Sequence, residues 1–135
     1  MKKSFAALFL SLSLLTGCAT LKTQHTVTPG STVQASSFDA DTYNLLVFTK
    51  SVIDQTRTDL SANPPVFTTQ AAPFVKQALN VLVNAYNALD ASYQTYHNAV
   101  VAGTATQAQV AAVQSASTEV TKATTNLTTA KAGGQ

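Results

Sequence analysis

The chain has 135 residues, eight lysines and arginines against six acidic residues, and only 10% charged residues in all. A formal charge of +2 over that length is too weak for the phosphate-driven electrostatics of nucleic-acid binding. One cysteine excludes an internal disulfide framework, so a domain of this size must draw its stability from packing.

The first residues have the three parts of a secretory signal. Lys2 and Lys3 give a positive start, Phe5 to Leu15 form an apolar run, and Thr16 and Gly17 are small enough to lie beside a peptidase cut. The run is well short of the roughly 20 residues that a permanent membrane helix needs. The segment ends in Leu15-Thr16-Gly17-Cys18 and so resembles the lipobox signals of bacterial lipoproteins. The resemblance covers residues 1–18 only. It implies that residues 1–17 are cleaved as a signal peptide and that Cys18 carries a diacylglyceryl group and an acyl chain such as palmitate. That covalent lipid is the one group expected on the chain, and two or three acyl chains hold a protein stably on a membrane. In Gram-negative lipoproteins an alanine after the cysteine, here Ala19, points to the outer membrane facing the periplasm. A Gram-positive cell surface is the other location that the motif serves. Loss of Lys2 and Lys3 leaves six basic residues against six acidic ones, which removes any polybasic attraction to lipid.

Residues 18–37 read as a lipidated cysteine and a Thr/Ser-rich disordered tether, broken by Pro29-Gly30 and carrying His25 as a solvated side chain. A domain over residues 38–132 follows. Its first helix is expected over about 38–61, with Ser37 or Asp39 as cap. Tyr43, Leu46, Val47, Ile53 and Leu60 make its apolar stripe, and Pro64-Pro65 bar continuation. The second is expected over about 70–102. Val75, Leu79, Leu82, Tyr86, Leu89, Tyr93, Tyr96 and Val100 alternate steps of four and three, a coiled-coil-like seam ended by Gly103. The third, over about 105–131, starts with capping-box spacing at Thr106 and Gln109. Its seam of Val110, Val113, Val120 and Leu127 is diluted by Ser117 and Thr124, so fraying toward Ala132-Gly133-Gly134 is expected. The fold class is all-α, an antiparallel up-down-up three-helix bundle behind a signal peptide and tether.

The inventory for chemistry is poor. There is no Cys-x-x-Cys, His-Glu-x-x-His, Gly-x-Ser-x-Gly or phosphate-binding glycine loop, and Glu119 is the one glutamate, so no catalytic residues are assigned. Asp90 and His97 share a helix face but give too few ligands for a metal. Tyr93, Tyr96, His97, Val100 and Val101 form a candidate interface instead. Helix lengths place the start of the first helix near Asp90 to Tyr93. Tyr96, Val100 and Val101 would then overhang it, uncovered or covered by Val27 and Val33 of the tether.

The expected function is that of a non-catalytic, lipid-anchored envelope lipoprotein. Its partners would be the membrane, through the lipid, and an envelope protein or a second copy; nucleic acid is not among them. Beside it stand a small-ligand carrier or sensor using the tyrosine-lined end, which needs a cavity of roughly 300 Å³, and a phage-encoded lipoprotein for lysis or superinfection exclusion.

Overall fold

The computed structural model describes residues 37–134; the signal segment, Cys18 and the tether residues before Ser37 lie outside the described residues. Three helices follow one another: α1 (Ser37–Ser61), α2 (Ala72–Val101) and α3 (Gln107–Ala132). They form an all-α bundle that runs up, down and up. The start of α1 meets the end of α2, where Phe38 packs on Tyr96, and the end of α1 meets the end of α3, where Lys131 reaches Asp59. α2 packs most extensively on α3 and less on α1, while α1 and α3 touch little.

The core follows the alternating seam of α2. Val75, Leu79, Leu82, Leu89, Tyr96 and Val100 are buried, joined by Val113, Val120, Ala123 and Leu127 of α3. The short turn between α2 and α3 is fixed at both sides. Gly103 adopts φ +68°, and the Thr104 and Gly103 amides donate to the carbonyls of Ala99 and Val100, the paired bonds of a Schellman motif. Thr106 and Gln109 then cap α3 reciprocally, with the Thr106 amide on Gln109 Oε1 at 2.8 Å and the Gln109 amide on Thr106 Oγ1 at 3.3 Å.

α1 departs from its expected stripe. Its buried face is Phe38, Thr42, Leu46, Thr49, Ile53 and Thr56, whereas Tyr43 and Val47 are exposed. The reason lies in the threonine hydroxyls. Those of Thr42, Thr49 and Thr56 donate to the carbonyls of Phe38, Leu45 and Val52, four residues back, at 2.7–2.8 Å. The polar atom is thereby satisfied inside the helix, and each threonine presents its methyl to the core much as valine would. Thr124 of α3 repeats the device on the Val120 carbonyl at 2.8 Å.

The expected fraying of the chain end is also corrected. Gly134 is buried, and its carbonyl accepts from the Thr68 amide at 3.2 Å. A Cβ there would lie 2.6 Å from the Ala71 Cβ, so only glycine permits this approach to the α1–α2 connection. Lys131 anchors the same end with 3.0 Å to Asp59 Oδ2 and 6.0 Å to the Phe67 ring centre. Burial by itself would raise the Asp59 pKa. Hydrogen bonds from Gln55 and Lys131, together with the Lys131 charge, outweigh it and hold the carboxyl below its ordinary value. A carboxyl lowered on folding contributes stability that is fully present above its unfolded value of about 4 and fades as pH falls through the folded one. Thermal unfolding scanned from about pH 5 to 2 should therefore lose stability less steeply in Lys131→Gln than in the parent chain.

Candidate functional site

The antiparallel pairing of α1 and α2 gathers an acid, an imidazole and two phenols where α1 begins. Asp39 lies in the first turn of α1, a favourable place for an anion, and its carboxylate is buried. His97 lies on the α1-facing flank of α2, half-exposed. Its Nδ1 is 2.9 Å from Asp39 Oδ1 and 3.1 Å from Oδ2. A carboxylate can only accept, so Nδ1 carries a proton and donates it to Asp39. The Tyr93 ring lies 5.5 Å from the His97 ring and 6.4 Å from that of Tyr43, forming an aromatic ladder across the two helices. Burial, the neighbouring Asp39 charge, Tyr43 and a hydrogen bond with Asp39 together push the Tyr93 hydroxyl above its ordinary pKa, so it stays a neutral phenol.

The five residues of the sequence-derived interface separate into two groups. Tyr96 and Val100 are each 2% exposed and belong to the core, so the expectation that they are uncovered is wrong; Val27 and Val33 lie outside the described residues. The covering group is Phe38 of α1, whose ring stands edge-on to Tyr96 at 5.3 Å with 83° between planes. α1 starts opposite Tyr96 and His97, about one helical turn beyond the expected Asp90 to Tyr93. Val101, by contrast, is 62% exposed at the end of α2, and Tyr93 and His97 are partly exposed.

Two partners escaped the sequence reading. Asp39 reads locally as a helix-start residue, and nothing in the periodicity links it to a histidine 58 positions away. Tyr43 was assigned to the core stripe, yet it is 57% exposed beside Tyr93. Asp90, which shares a face with His97, instead accepts from Gln94 at 3.3 Å.

No group of three potential metal ligands comes together among the described residues, and none of their helices is long and apolar enough to cross a membrane. Two surface depressions lie away from the tyrosines. One of about 260 Å³ sits between α2 and α3, lined by Ala91, Ser92, Thr95, Gln109 and Ala112. The other, about 470 Å³, is lined from Val47 to Thr58 by α1 alone and is therefore open helix surface. At the tyrosine-lined end of the bundle the Phe38 and Tyr96 rings meet edge-on at 5.3 Å. No family of known proteins, no characterised protein and no solved structure matches this chain.

Proposed function

We propose that the chain is a non-catalytic, lipid-anchored envelope lipoprotein, held by Cys18 on the periplasmic side of the outer membrane, that binds a protein partner through the α1–α2 face around Tyr43, Val47, Tyr93 and His97. The observation that carries the reading is the ladder itself: an exposed tyrosine and valine continuous with a half-buried tyrosine and an imidazole that a buried carboxylate fixes in place. Tyrosine combines contact area with a polar tip and little rotamer entropy, which is why it is enriched where proteins meet. Pre-orientation of His97 lowers the ordering cost of binding and presents its exposed ring edge to the partner. The lipobox resemblance supports the anchor, and the start of α1 follows directly on the tether.

A photoreactive residue replacing Tyr43, in the full chain in its native envelope, tests both parts. A defined protein adduct is expected there and none from the same residue at Thr118, on the exposed side of α3. The Tyr43 adduct should be lost when Cys18 is changed to Ser. Equal labelling from Tyr43 and Thr118 would refute the assigned face.

A further inference from the structure

We infer that α1 is a strap: it opens from the bundle as an intact helix while α2 and α3 stay packed as a hairpin. The inference rests on the fold and is independent of the partner-binding reading.

Three observations carry it. First, three of the seven buried residues of α1 are threonine, at the seven-residue spacing of Thr42, Thr49 and Thr56, whereas those of α2 are valine, leucine, alanine and tyrosine. A seam with fewer buried methylenes gains less from docking. The three hydroxyls are bonded to carbonyls of α1 itself, so lifting α1 away breaks none of those bonds and strands no hydroxyl.

Second, hydrogen bonds to carboxylates of α1 tie it to the other helices at its two ends. His97 holds Asp39 at one, and Lys131 holds Asp59 at the other. The ion pairs along the middle of α1, Lys50 with Asp54 and Arg57 with Asp54, stay within the helix and are solvent-exposed. Such a layout holds a helix by a latch at each end and a weak seam between them.

Third, the connections differ in kind. α2 and α3 are joined by a turn of five residues, with a Schellman motif on one side and a capping box on the other, and they share the most extensive packing in the bundle. α1 touches α3 little; in the connection to α2, Phe67 to Ala71 stay packed against the end of α3, and the exposed residues 63–66 before them are where α1 parts from the hairpin. The opening exposes the part of α2 that faces α1, Tyr96 under Phe38 included. Because α1 follows directly on the anchor-bearing segment, a force or a binding event on that segment acts on α1 before the hairpin.

Native-state hydrogen exchange on the full processed chain in detergent, read by mass spectrometry, tests the inference. The amides of α1 should exchange together, roughly tenfold or more faster than those on the α2–α3 seam, the behaviour of a cooperative unit opening below the global limit. His97→Gln should speed α1 by about a further three- to tenfold and leave α2 and α3 unchanged. Thr49→Val with Thr56→Val, which keeps both latches, should slow α1. If the three helices exchange at one common rate in the parent chain, or the threonine pair leaves the α1 rate unmoved, α1 is not a separate opening unit and the inference falls.

Discussion

Tyr96→Ala removes about 3–5 kcal/mol of folding stability, whereas Tyr43→Ala changes it by only about 0.5 kcal/mol. The two tyrosines lie in the same end of the bundle and differ in what surrounds them. Tyr96 is buried, with the Phe38 ring edge-on to its own, and truncation leaves a cavity that three packed helices cannot collapse. Tyr43 projects from α1 into solvent and loses little more than its contact with Tyr93. A domain of this size has about 5–15 kcal/mol in total, so Tyr96→Ala spends a large part of it. Urea unfolding followed by circular dichroism checks the difference: the midpoint should fall sharply for Tyr96→Ala and stay near the parent value for Tyr43→Ala, with similar slopes. The consequence for function is practical. Loss of partner binding in Tyr96→Ala would report unfolding, so the face has to be tested at Tyr43, at Val47 or at His97.

The bundle was legible in the sequence wherever one helix carried an unbroken apolar seam. α2 repeats its leucines and tyrosines over eight positions, and that pattern needs a partner on its seam whatever the neighbours are. The caps were equally local: Gly103 and the Thr106–Gln109 pair each involve residues a few positions apart. The candidate face was legible only in part, because its geometry depends on how far α1 slides along α2. A shift of one turn carries Tyr96 and Val100 from overhang to core and brings Asp39 to His97. No helical period encodes that register, and the connection between α1 and α2, where Phe67 and Ala71 are buried near the chain end, has no periodic pattern to read. The stripe of α1 was misread for a chemical reason. Threonine counts as polar in a hydropathy pattern, so Tyr43 and Val47 seemed to mark the inner face.

The threonine seam makes the second large prediction. Replacing Thr42, Thr49 and Thr56 together with Val should raise stability by about 1.5–3 kcal/mol, at about 0.5–1 kcal/mol per site. Each hydroxyl occupies a seam position where its hydrogen-bond partner is a carbonyl of its own helix and not a group of another. That carbonyl keeps its ordinary α-helical bond in the valine chain, so removing the hydroxyl leaves nothing unpaired. The added methyl is buried, since the three threonines are at most 4% exposed, and valine has nearly the helix propensity of threonine, so packing decides the sign. For a domain of about this size each kcal/mol raises Tm by about 4–8 °C, and calorimetry would see the combined effect easily. Thr49→Ser is the opposite probe: it keeps the hydroxyl and deletes the methyl, and should lose about 1 kcal/mol. A seam that serine weakens and valine strengthens is one in which the methyl holds α1 down and the hydroxyl limits how firmly. The same three hydroxyls therefore set the strength of the α1 seam and the ease with which α1 opens.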